Sequence, residues 1–281
     1  MKKQTLFAVL VIVYAASAAG FLGDQQKGSA AIIPLDGTIK PAASGFQSDS
    51  ITPGSLRALV ERTGNADAVI FEWNSGGGAV VASKEIKRII EDIKVPTVCR
   101  FRDVAASGAY LASLGCDRIV ADSASITGSI GVKSSYLEFS GLLNRLGIEY
   151  VNVSSGKFKE RNSRFQNASK ADIAALKNMT GKIHRQFLSE VRQERNLSRT
   201  TMEKIDSGSI LLGSEAEKLG LVDRLGGRDT AVKIAENLTG KQLSAFKVES
   251  PTGFNFLSML TGSVSLQSFF DTGYLLKASL L

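Results

Sequence analysis

Between residues 30 and 153, short β-rich runs alternate with amphipathic helical patterns, and this alternation restricts the chain more than any other feature. Ala68-Val69-Ile70-Phe71 reads as a buried strand. It is followed by Gly76-Gly77-Gly78 and by a helix with Ile86, Ile89, Ile90 and Ile93 on one face. Further strands are expected at Ala30–Leu35, Pro96–Phe101, Arg118–Ala121, Ile130–Val132 and Ile148–Val153. Helices are expected over 107–114, 137–146, 168–196, 214–219 and 229–238. Strands separated by helices of this length imply an α/β fold with a mostly parallel sheet and right-handed crossovers. The 27 glycines against 5 prolines suit many tight strand-to-helix turns, and 43% hydrophobic content excludes a disordered chain.

The ends differ from this core. Lys2-Lys3 precede an apolar run of 18 residues, Leu6 to Gly23, long enough for a membrane span. Residues 1–23 therefore read as a retained anchor, with a removable signal peptide as the alternative, and both place the remainder outside the cytoplasm. Residues 24–29 read as a linker, 30–245 as the folded domain and 246–281 as an apolar tail that packs on its own domain or on a neighbouring subunit. The formal charge of +7 is regional: from Lys157 to Lys204, 12 Lys and Arg stand against 5 Asp and Glu. Few aromatics interleave with them, so they read as a solvated helix face and nucleic acid is not an expected partner.

Cysteine and histidine usage removes several chemistries. Cys99 and Cys116 are 17 apart with no CxxC motif, so no metal site is expected, and their apolar neighbours mark them as buried free thiols. The one histidine, His184, lies within a helical pattern and reads as structural. Ser107 sits among Ala and Gly where a loop turns into a helix, with the Gly108 amide free to face an oxyanion. A serine nucleophile needs a base, and with histidine set aside lysine leads; a lysine serving as base must lose its charge by burial. Lys157 and Lys159 both qualify, and spacing does not choose between them.

Five segments, Asn74–Gly78, Ala106–Tyr110, Thr127–Val132, Ser155–Lys159 and Gly220–Asp223, occur in the order seen in the signal peptide peptidase A family, which this chain resembles over residues 30 to 240. The resemblance implies a Clp-protease/crotonase-like fold and peptide cleavage by a Ser-Lys dyad without a cofactor. It also implies a membrane anchor with the catalytic domain extracytoplasmic, remnant signal peptides or other short apolar peptides as substrates, and a homo-oligomer whose active sites are completed between subunits. Carried across, Ser107 is the nucleophile, Lys159 the base, Ser129 the residue orienting the lysine, and Gly77 and Gly108 the oxyanion amides. Gly76 replaces the family's proline, which is expected to loosen the turn, and Glu160 follows the lysine, where it is expected to face solvent. The rival readings are a catalytically silent scaffold of the same fold, which binds membrane proteins, and an acyl-CoA enzyme, which export would separate from its substrate.

Overall fold

The structure is a computed structural model that describes residues 27–42, 50–156 and 158–249. The anchor expected over 1–23, most of the tail and Lys157 lie outside the described residues. Among the described residues no helix is long and apolar enough to cross a membrane.

The expected parallel sheet is present. Its core is β1 (Lys27–Asp36), β4 (Ala68–Ser75), β5 (Thr97–Ala106) and β6 (Arg118–Ala121), with β10 (Gln242–Lys247) and β9 (Arg224–Leu225) at its two sides in the order β10-β1-β4-β5-β6-β9. Every pairing along this path is parallel. β1 begins at Lys27, inside the segment read as linker, and its Ala30 to Asp36 pair with Ala68 to Asn74.

Alternation along the strands builds two cores. Ala31, Ile33, Val69, Phe71, Trp73, Cys99, Phe101 and Ile119 face one side. There they meet α1 (Pro53–Glu61), α2 (Val80–Glu91), α3 (Gly108–Ser113) and the long α5 (Lys170–Arg195) through Leu56, Ile86, Tyr110 and Phe187. Ala30, Ile32, Ile70, Val98 and Val120 face the other side and pack against Ala231 and Ala235 of α8 (Arg228–Thr239). Where this second core ends, Glu72 is buried beneath two arginines, with Arg228 at 2.8 Å and Arg100 at 3.1 Å. Burial alone would raise the Glu72 carboxyl, but the two guanidinium groups outweigh it and hold it below its ordinary 4.5.

Beyond Phe101 the strand β5 changes partner. Its first part pairs with β6, and its last three residues, Val104 to Ala106, pair with β7 (Ile126–Gly128). The register against β4 slips at the same place, where Trp73 opposes Phe101 but Ser75 opposes Ala105. Ser125 fixes the bend by donating to the Arg102 carbonyl at 2.5 Å, and Thr127 donates to the Ala105 carbonyl at 2.7 Å. On its far side β7 pairs antiparallel with β8 (Ile210–Leu212).

Three expectations are corrected. Ile130–Val132 is not a strand, because the chain leaves the sheet at Gly128. Ile148–Val153 is not a strand either: among the described residues no strand pairs with it, Val153 is 94% exposed, and a β-prone run without a pairing partner has nothing to hold it extended. Cys99 and Cys116 form a disulfide rather than free thiols, with Cα atoms 5.8 Å apart. The short α3 returns the chain to the start of β6 beside β5, which brings the two sulfurs together although 17 residues separate them.

A loop of this length implies that replacing both cysteines by alanine costs about 3 kcal/mol in urea denaturation, and that the unreduced, unfolded protein shows no free thiol. Glu72→Gln costs roughly 2 kcal/mol at pH 7. A carboxyl held below its ordinary value contributes stability above pH 4.5 and loses it as pH falls further, so the difference between Glu72→Gln and wild type narrows below pH 4.5 in the same denaturation experiment.

Candidate active site

The C-terminal ends of β4, β5 and β7 lie side by side, and each continues directly into a residue singled out by the sequence. β4 runs into Gly76-Gly77-Gly78, β5 into Ser107 and β7 into Ser129. Loops at the carboxyl ends of parallel strands are the usual location of α/β active sites.

Ser107 occupies the sharp turn between β5 and α3 at φ 54° and ψ −120°, a strained conformation for a residue with a side chain. Its amide donates to the Gly128 carbonyl at 2.9 Å, and its carbonyl accepts from Leu111 at 3.0 Å, so both main-chain groups are fixed. The hydroxyl makes no capping bond to the helix. A strained strand-to-helix turn of this kind raises a nucleophile above the sheet edge.

The glycine turn is pressed against Ser107. A methyl group on Gly77 would stand 2.5 Å from the Gly108 nitrogen and 3.1 Å from the Ser107 Cβ; one on Gly108 would collide with Ser83 Oγ, and one on Gly78 with the Ile39 carbonyl. Main-chain atoms leave room for glycine alone at 77 and 78, and a side chain at 108 would have to displace the Ser83 hydroxyl. Gly76 is different: its Cβ position is open, and the turn is secured instead by the Gly77 amide donating to Ser75 Oγ at 3.1 Å. With Gly76 where the family has proline, this hydrogen bond ties the turn.

That bond also bears on the oxyanion groups. The Gly77 N–H is engaged with Ser75, whereas Gly78 forms a parallel bridge with Ile39 in which Ile39 bonds the flanking Gly77 and Ala79. In that pattern the Gly78 N–H points away from Ile39, and its nitrogen lies 3.1 Å from the Cβ position of Gly108. The Gly78 and Gly108 amides are thus neighbours beside Ser107. Sequence reasoning named the Gly77 and Gly108 amides; the fold of the turn sets the Gly78 amide beside them.

Ser129 follows Gly128 with φ 49° and donates its amide to the Ser209 carbonyl at 2.8 Å. Lys159 is placed differently. It lies on an exposed turn closed by its amide donating to Gly156 at 3.0 Å. Among the described residues no hydrogen bond or ion pair joins it to Ser107 or Ser129. Glu160 accepts from Tyr150 at 3.3 Å in an exposed contact at the surface, as expected. The fifth motif is a brace: Asp223 binds Arg195 at 2.8 Å and the Ile119 amide at 2.7 Å, while Tyr110 donates to the Leu221 carbonyl. Burial pushes the Tyr110 hydroxyl far up, so it remains a neutral donor. Among the described residues no group of His, Cys, Asp and Glu side chains is disposed to hold a metal ion.

The family model described as Peptidase family S49 matches residues 90–242. The chain belongs to peptidase family S49. It is 33% identical over 208 residues to a protein of Methanocaldococcus jannaschii assigned as a protease, covering 72% of this chain and 67% of that one. It is also 33% identical to a protein of Enterococcus faecium assigned as signal peptide peptidase SppA, covering 66% of this chain and 56% of that one. To Protease 4 of Haemophilus influenzae it is 31% identical, with 75% of this chain and 35% of the relative covered, so it spans only about a third of that protein. Among solved structures, the 1510-N membrane-bound stomatin-specific protease superposes with a TM-score of 0.52 at 15% identity, covering 80% of this chain and 99% of that one, and the two share the fold. This S49 chain is a serine peptidase with a Clp-protease/crotonase-like α/β fold.

The glycines separate clearly by mutation. Gly76→Ala adds about 0.4 to 1 kcal/mol of stability and leaves peptidase activity intact. Gly78→Ala and Gly108→Ala lose about tenfold or more in activity through displaced amides, and adding Ser83→Ala to Gly108→Ala recovers part of the loss, because the colliding hydroxyl is gone. Thermal melts and a fluorogenic peptide assay read both.

Proposed function

We propose that this S49 peptidase is a membrane-anchored endopeptidase using a Ser107–Lys159 dyad, with its catalytic domain extracytoplasmic. Its proposed substrates are remnant signal peptides or other short apolar peptides. The strained Ser107 turn, with the Gly78 and Gly108 amides beside it, is the observation that carries this reading. Neutral Lys159 takes the hydroxyl proton and Ser107 attacks the scissile carbonyl. The two amides hold the oxyanion, with Gly78 taking the part first given to Gly77. The protonated lysine then gives its proton to the leaving amine, and water hydrolyses the acyl-enzyme. Ser129, one strand end away from Ser107, orients the lysine.

The exposed position of Lys159 fits a site completed on assembly. The segment 131–168 carries Leu137, Val151, Val153 and Phe158 at the surface, 72%, 76%, 94% and 57% exposed. We assign it to the contact between subunits of a homo-oligomer, where docking buries the lysine and favours its neutral form. The Cys99–Cys116 disulfide supports an oxidising compartment for the domain, as export past an anchor at residues 1–23 would provide.

Ser107→Ala and Lys159→Ala each lower kcat/KM on a fluorogenic apolar peptide by about a thousandfold, with folding unchanged by circular dichroism. Wild-type activity in Ser107→Ala would refute the nucleophile, and wild-type activity in Lys159→Ala would refute the base.

A further inference from the structure

We propose that His184, the chain's one histidine, is a positioning residue that holds the turn presenting Ser129. Three consecutive residues of that turn are each tied to a different element. The Gly128 carbonyl accepts from the Ser107 amide at 2.9 Å, and the Ser129 amide donates to Ser209 at 2.8 Å. The Ile130 carbonyl lies 3.0 Å from His184 Nε2. Gly128 and Ser129 are both left-handed, at φ 72° and 49°, and Ser129, which carries a side chain, holds this strained conformation only because its surroundings over-determine it. Two of the three ties are main chain to main chain; His184 supplies the third and is the only side chain among them.

The chemistry of that contact fixes the imidazole. A carbonyl oxygen only accepts, so Nε2 carries its hydrogen and donates it to Ile130. The same nitrogen lies 3.6 Å from Asp206 Oδ1, at the end of α6 (Arg199–Ile205), and the side chain is 24% exposed. His184 therefore joins α5, the turn leading into β8 and the turn after β7. With Nε2 committed in this way, the residue acts on catalysis through Ser129. The inference rests on the proposed role of Ser129 beside the dyad.

The test uses the full chain with three variants at position 184, assayed on the fluorogenic peptide beside wild type and Ser107→Ala. Gln carries an amide nitrogen near the position of Nε2, Asn is too short to reach Ile130, and Leu has the bulk without the donor. His184→Leu is expected to lower kcat about tenfold with KM within about twofold, and His184→Gln to stay within about threefold of wild type. If His184→Leu does not fold, the comparison passes to Gln against Asn, with kcat about fivefold higher for Gln. Equal kcat for Gln and Asn, or wild-type kcat in His184→Leu, overturns the positioning role while an inactive Ser107→Ala leaves the site reading standing. Full activity in Ser107→Ala overturns both.

Discussion

The change of partner by β5 is the constraint on which the rest of the structure depends. For four residues it pairs with β6 inside the sheet, and for its last three it pairs with β7, with the slip against β4 taken up between Trp73 and Ser75. Ser107 is carried into a strained turn whose amide has one acceptor, the Gly128 carbonyl. The cost of that turn is of order 1–3 kcal/mol. It is offset by packing on either side: Phe101 and Tyr110 meet edge to face at 6.2 Å, and α3 is buried along its whole length. Without β7 beside it, neither the turn nor the approach of Gly77 to Gly108 would be held.

Much of this architecture was legible in the sequence, for a physical reason. β1, β4, β5 and β6 are largely buried and α2 and α5 bury apolar positions on one face, and burial imposes the periodicity that reading relies on. α1 was missed because it is only nine residues long and its start is set by a capping box between Thr52 and Ser55, although Leu56 and Leu59 give it a buried face. β10 was missed because it is largely exposed and is defined by pairing with β1, more than 200 positions earlier in the chain. The disulfide and the Ile148–Val153 segment share the same cause: pairing is non-local, so it supplied a partner to Cys99 and none to Val151.

The site divides along the same line. Ser107, Gly108, Ser129 and the glycine turn follow directly from strand ends, and local sequence marked them. The distinction between Gly77 and Gly78 depends on which amide the Ser75 hydroxyl takes, which only the folded turn reveals. Lys159 belongs to a segment with little contact to the sheet, so its proposed place in the reaction rests on the resemblance to the family's motifs and on the proposed assembly. The regional basicity also resolves in part. On α5, Glu190 and Glu194 pair with Lys84 and Lys87, while Lys170, Lys177, Lys182, Arg185 and Arg192 remain at the surface, as a solvated helix face would have them.

The central claim is that the strained serine at the end of β5 is the nucleophile, and mass spectrometry of the protein after treatment with a fluorophosphonate serine probe tests it most directly. The account predicts a single adduct on the peptide containing Ser107. An adduct on Ser129, Ser209 or another serine, with Ser107 unmodified, would contradict it.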